Sequence, residues 1–305
     1  MNGIASALLP VMLLIALGVA LRKSGVVADV AWAGLEKVAY YVFFPALLVY
    51  NLGGQSLDGV PWQPMLLVIL ATCVVAAVAL ILWHLLSRSV SGATFTSVFQ
   101  GGVRFNSYIA LAVCDAFYGT EGLAVGAIGI SFMIVIVNLM SVAAFAVWGS
   151  RGAVGIRSLL RDITANPLIV SCTLGLLLSA TDIGLPELAA DALGLIGRAA
   201  LPVGLLAVGA GVRFSAMRGH VRPVIASTLV QYLLKPLTAV TLLGAVGLDG
   251  TAAATIVIIF ITPVAASSYI LAKQLGGDIA AVASIVTLQT VLAFAVMPAG
   301  LALLL

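Results

Sequence analysis

The residues able to do chemistry in this sequence fall into three groups. One is Gly101-Gly102-Val103-Arg104-Phe105-Asn106-Ser107-Tyr108. The second is Thr262-Pro263-Val264-Ala265-Ala266-Ser267-Ser268-Tyr269. The third is a set of cations inside apolar stretches: Arg104, Arg198 and Lys235. Burying such a cation in a spanning segment costs about 2.5–3.5 kcal/mol on insertion scales. No acid lies at comparable depth, since Glu36, Asp115, Glu187 and Asp191 fall nearer the ends of their segments. Buried cations without acids fit a mobile anion as partner, and a carboxylate matches the arginine fork well. The chemistry to expect is therefore reversible binding. The sequence has no HExxH, no GxSxG, no aspartate-rich motif pair and no P-loop, so neither an enzyme nor a cofactor or metal is expected. Cys73, Cys114 and Cys172 stand singly, without CxxC spacing, and read as small buried thiols.

Each residue also has a plainer reading. Arg104 could pair with an interior carbonyl or with Asp115, and Arg198 with Asp191 seven residues earlier on the same helical face. Lys235 precedes Pro236 and could snorkel. Asn106, Ser107, Ser267 and Ser268 could be hydrogen-bonding glue between helices, as could Asn138 and Gln289 deeper in their segments. Tyr108 and Tyr269 could be amphipathic packing residues. His84 and His220 read as surface residues.

The elements that must position these groups follow from composition. Hydrophobic residues make up 63% of the 305 and charged residues only 8%, against about 25% charged in soluble domains. A water-exposed surface cannot be covered with so few charges. The long apolar runs indicate an all-α polytopic membrane protein rather than a barrel. The net charge of +3 gives no reason to expect a nucleic-acid partner. The first apolar run lacks a basic leader region and a cleavage site, and reads as a retained span.

Ten spans are predicted, at 4–21, 29–52, 64–86, 93–118, 122–149, 165–181, 186–212, 221–246, 251–275 and 279–304. The longer link 150–164 carries Arg151, Arg157 and Arg161, with Ile156, Leu159, Leu160 and Ile163 at helical spacing. It is expected to form an amphipathic surface helix. Basic residues follow the odd spans: Arg22 and Lys23, Arg88, the arginines of 150–164, Arg213, Arg218 and Arg222, then Lys273. The links after even spans hold only acids such as Asp58, Glu121, Asp182 and Asp249. The bias makes the odd links, including 150–164, cytoplasmic and puts both termini outside, in a multi-pass protein of the inner cell membrane.

Pro10, Gly18, Pro45 and Gly54 recur at one constant spacing as Pro167, Gly175, Pro202 and Gly211. Pro64 answers Pro223, and Phe99 with Ser107-Tyr108-Ile109 answers Phe260 with Ser268-Tyr269-Ile270. These correspondences predict two five-span repeats, 1–149 and 165–305. Five is odd, so the second repeat is inverted relative to the first, and such halves bind their ligand at the repeat interface. Spans 4 and 9 are expected to break, the first at Gly101-Gly102 and the second at Pro263, whose missing N–H frees the carbonyl of Ile259. Half-helix N-termini at the breaks would attract an anion.

Tyr40-Tyr41-Val42-Phe43-Phe44-Pro45-Ala46-Leu47, Arg104-Phe105-Asn106-Ser107-Tyr108-Ile109, Asn166-Pro167-Leu168-Ile169, Leu201-Pro202-Val203-Gly204-Leu205-Leu206 and the stretch from Thr262-Pro263 to Gly276-Gly277-Asp278 resemble the auxin efflux carrier family over essentially the whole chain. The resemblance implies the fold of bile-acid symporters and PIN carriers: a scaffold of spans 1, 2, 6 and 7, a mobile transport domain of spans 3–5 and 8–10, crossed broken helices 4 and 9, and elevator-like movement. It implies a substrate role for Asn106. Many members carry a proline in the first crossover, whereas none lies between Ser91 and Gly119 here, so Gly101-Gly102 are expected to supply that break. The functional expectation is a secondary carrier of small organic anions, of exporter type. Asn106, Ser107, Tyr108 and Thr262 through Ser268 would form its site, with Arg104 or Lys235 neutralising the charge. The alternatives are sodium-coupled symport of the bile-acid type and an intramembrane lipid enzyme. The partners expected are the anion, the bilayer, a coupling ion left open between H⁺ and Na⁺, and a second copy through the scaffold.

Overall fold

A computed structural model describes residues 2–53, 59–87, 89–150, 164–181, 183–213 and 221–304. The link 151–163 with its arginines and expected surface helix lies outside the described residues, as do Gly54, Asp58, Arg88, Asp182, Arg218 and His220.

The described chain is helical throughout, with no strand. Its elements are α1 (Asn2–Ser24), α2 (Asp29–Gly53), α3 (Trp62–Ser87), α4 (Gly92–Val103), α5 (Ser107–Trp148), α6 (Pro167–Ala180), α7 (Glu187–Ala210), α8 (Val221–Val246), α9 (Gly250–Ile261), α10 (Ser267–Leu275) and α11 (Ile279–Leu304). Seven stretches are long and apolar enough to cross a membrane. The sequence predicts ten spans, and the two counts part at three places. Predicted spans 4 and 5 fall in one apolar stretch, Gly92–Trp148, which is interrupted at 104–106 and again at Gly119. At Gly119 a φ of 57° turns the chain inside α5, a backbone shape that glycine adopts without penalty. Predicted span 6 is the shorter helix α6, and predicted span 9 is divided into α9 and α10.

The outward faces are as apolar as the interior. Along α3, Leu67, Leu70, Val74, Val78 and Leu82 are exposed, while Met65, Val68, Ile69, Cys73 and Ala76 are buried. In water such faces would aggregate; in a bilayer the lipid tails cover them.

Two helix crossings are unusually close. α1 packs on the Ala200–Ala210 part of α7, and a Cβ added to Gly18 would collide with the backbone oxygen of Leu206. α6 packs on the Phe44–Gly53 part of α2, where a Cβ on Gly175 would come within 2.7 Å of Leu52 Cβ. α2 and α8 each contain a short π-helical stretch, Ala39–Phe43 and Val230–Leu234. Each has a proline two positions past its last residue, Pro45 and Pro236. A proline removes the donor for the carbonyl four residues back, and the ladder widens: Phe44 N–H reaches Ala39 O, and Lys235 N–H reaches Val230 O. Single π turns of this kind occur often at functional sites, and both lie beside the site described next.

Candidate functional site

The chain is interrupted twice at depth. α4 ends at Val103, residues 104–106 are extended, and α5 starts at Ser107. α9 ends at Ile261, and α10 starts at Ser267. Each interruption strands backbone groups that no water would satisfy in a bilayer core.

A buried polar network resolves most of them. Lys235, fully buried on α8, donates from Nζ to Val103 O (3.2 Å), Arg104 O (3.4 Å) and Gln231 Oε1 (2.8 Å). A cation at a helix C-terminus also suits the dipole there. Gln289 of α11 ties the two interruptions together: its Nε2 donates to Gly101 O at 2.9 Å, and its Oε1 accepts Val264 N–H at 2.9 Å. Gln231 Nε2 donates to Thr262 O. The Ile259 carbonyl, freed by Pro263 as expected, accepts the Thr262 hydroxyl at 2.8 Å. The Tyr232 hydroxyl donates to the backbone oxygen of Gln289 at 2.5 Å.

Gly101 and Gly102 play a different part from the one expected. Both are helical, in the last turn of α4, and the break comes after them. Their missing side chains serve packing instead. A Cβ on Gly101 would stand 2.6 Å from Ile285 Cγ2, and one on Gly102 would stand 2.8 Å from Leu80 Cδ1. No proline marks the break; Asn106 ends it as the N-cap of α5, its Oδ1 accepting Tyr108 N–H (3.1 Å) and Ile109 N–H (3.2 Å).

On one side of this knot lies a cavity of about 430 Å³, within the range of small-molecule sites. Arg104, Asn106, Ser107, Tyr108, Asn138 and Ser267 all line it. Arg104 Nη1 donates to Asn138 Oδ1 at 2.8 Å, and its Nε is buried without a partner. Asp115, the alternative partner for Arg104, is exposed elsewhere. The Tyr108 ring stacks on Phe44 with centroids 4.4 Å apart, a packing role combined with its place in the wall. Ala265 and Ala266 bring the N-terminus of α10 to the same cavity as the N-terminus of α5. α10 has no side-chain cap at Ala266, whereas Asn106 caps α5.

The other predicted residues stand apart from the cavity. Lys235, Gln289, Thr262 and Pro263 belong to the knot behind it and do not line it. Lys235 is held by carbonyls that only the folded crossing brings together, so it is not positioned to neutralise a ligand in this cavity. Ser268 is fully buried with its hydroxyl unpartnered, outside the cavity wall. Arg198 is exposed and forms no ion pair with Asp191 among the described residues. His84 is half-buried rather than a bare surface residue, with its ring stacked on Phe95 at 4.1 Å.

Sequence reasoning missed another part of the lining. Glu36, Lys37, Tyr40 and Tyr41 line the cavity from α2, with Ala33. These five positions follow the i, i+3, i+4, i+7, i+8 pattern of one helical face, a signal present in the sequence.

Among comparisons with known proteins, the family described as membrane transport protein matches residues 4–299. No curated protein matches the chain.

Proposed function

The chain belongs to the membrane transport protein family, that of the auxin efflux carriers, and we propose that within it the protein is a secondary carrier of small organic anions, carboxylates above all. It is an integral membrane protein of a transporter family, not of an enzyme family. Family membership does not favour the sodium-coupled alternative.

The observation that carries the reading is the convergence of Arg104 with the N-termini of α5 and α10 on one cavity. Helix N-termini bear a positive partial charge and orient N–H groups toward an anion. In the first turn of α10 the Ser268 and Tyr269 N–H groups bond back to the carbonyls of Ala265 and Ala266, so what α10 brings to the cavity is the positive end of its dipole. The Arg104 guanidinium keeps donors beyond the one given to Asn138, and that hydrogen-bond partner is a neutral amide. A carboxylate supplies the charge that the guanidinium lacks and suits the positive ends of both helices.

In the proposed mechanism the chain forms ten spans in two inverted repeats. Spans 1, 2, 6 and 7 hold still while spans 3–5 and 8–10 carry the cavity across the membrane, with export as the working direction. The close crossings of α1 on α7 and of α6 on α2 support the repeat, because each is built on a glycine, Gly18 and Gly175, that the repeat makes equivalent. The polar knot of Lys235, Gln231 and Gln289 supports the moving body, because it binds α4, α8, α9 and α11 into one unit around the site. The alternation of basic links supports the orientation with both termini outside.

The test is Arg104→Ala in protein reconstituted into vesicles. Exchange of labelled carboxylates is expected to fall to background, with expression and unfolding temperature close to wild type. Undiminished exchange would remove Arg104 from the mechanism and the reading with it.

A further inference from the structure

We propose that the solute carried is amphoteric: opposite the carboxylate held at Arg104, it presents an ammonium or comparable donor to Glu36. This deepens the anion-carrier reading and rests on it.

Glu36 is half-buried in the wall of the same cavity as Arg104. It forms no ion pair and no hydrogen bond among the described residues. Lys37 follows it directly and also borders the cavity, yet adjacent positions on a helix do not face each other. A half-buried carboxylate in a transporter site, without a protein partner, is costly unless something brings it a donor. Among the charged residues of the lining, Glu36, Lys37 and Arg104, Glu36 and Arg104 are the groups of opposite sign that are buried or half-buried without an ion-pair partner among the described residues, and one ligand can satisfy both.

Glu36 and Arg104 line the same main cavity, and Tyr40, one helical turn from Glu36 on α2, lines it too and shares a smaller pocket of about 60 Å³ with Arg104. Four residues of helix rise roughly 6 Å, which separates Glu36 from Tyr40 along that wall. Tyr108, Ile270 and Leu271 add apolar surface to the lining. An ω-amino carboxylate with a short methylene chain has this form, and a simple fatty acid or a dicarboxylate does not.

The experiment measures binding to the full-length protein in nanodiscs by titration calorimetry. The probes are butyrate, pentanoate and hexanoate, each paired with its ω-amino derivative. An ω-amino derivative is expected to bind about tenfold or more tighter than its parent, the gain of one charge-assisted hydrogen bond. In Glu36→Gln that gain disappears, so that each ω-amino derivative binds no tighter than its own parent. Glu36→Asp keeps the gain and moves it to a chain about one methylene longer. If the parents bind and the amino group adds nothing, or its gain survives in Glu36→Gln, the amphoteric assignment is overturned and the anion reading stands. If neither series binds, both fail.

Discussion

Two cations sit near the same crossing and do unlike work, and the difference lies in their partners. Arg104 donates to a neutral amide and faces a cavity. Lys235 donates to two backbone carbonyls and an amide oxygen and faces none. Removing Lys235 leaves those acceptors buried and unpaired, the costly half of a broken hydrogen bond. Lys235→Ala should therefore lower the unfolding free energy by about 1.5–3 kcal/mol or more and leave carboxylate affinity of the folded fraction within about threefold of wild type. Thermal unfolding in detergent, paired with calorimetric titration, checks both halves. A Lys235→Ala protein that unfolds like wild type but no longer binds carboxylates would exchange the roles given to the two cations. The sequence alone could not separate them. Both are long cations within apolar runs, and what distinguishes Lys235 is contact with a carbonyl 132 positions away, which only the folded crossing creates.

At the scale of elements, glycine has two uses, and the sequence does not say which one applies. Gly101 and Gly102 read as a hinge because glycine loosens a helix, yet they serve close approach inside an intact turn, and Asn106 ends the break as the N-cap of α5. Pro263 was legible because proline's effect is unconditional: it removes a donor wherever it sits, and Ile259 O is duly rescued by a side chain. The apolar runs were legible for a similar reason, since lipid demands them whatever the tertiary contacts. The face Ala33–Glu36–Lys37–Tyr40–Tyr41 was legible too, but only to a helical-periodicity count applied to polar residues inside a span. Close approach itself makes a prediction. A side chain at Gly18 meets the Leu206 backbone and one at Gly175 meets Leu52 Cβ at 2.7 Å; neither atom moves with a rotamer change, and the contact at Gly18 is the closer. Gly18→Val and Gly175→Val should both destabilise, by about 1–3 kcal/mol as overpacking does, with Gly18 the worse. Gly34→Ala, with nothing within 4 Å of the added Cβ, is the control expected to unfold like wild type. Equal unfolding temperatures for all three would mean that α1 and α6 do not cross their partners this closely.

For the molecule as a whole, the elevator reading requires that one body slide past another. A contact that joins them in this conformation should therefore be broken during the cycle. Such a contact lies where the chain leaves α7: Arg213 N–H donates to the Thr287 hydroxyl on α11 at 3.0 Å, and that hydroxyl reaches back to Arg213 O at 3.3 Å. In the proposed division Arg213 follows span 7 of the scaffold, and Thr287 lies in span 10 of the moving domain. A backbone amide within hydrogen-bond reach of a neighbouring residue's γ oxygen puts the two Cβ atoms close to disulfide range. The native Cys73, Cys114 and Cys172 are buried and unpaired, so a new pair can be oxidised without competition from exposed thiols. Arg213→Cys with Thr287→Cys, oxidised in reconstituted vesicles, should stop carboxylate exchange, and reduction should restore it to the level of the reduced double variant. Each single variant should be indifferent to oxidant. Binding measured by calorimetry should survive the cross-link, because neither residue lines the cavity; arrest then reports movement rather than damage to the site. A cross-linked protein that exchanges carboxylates at full rate would mean that transport proceeds without sliding at this boundary, and the two-body division would have to be abandoned.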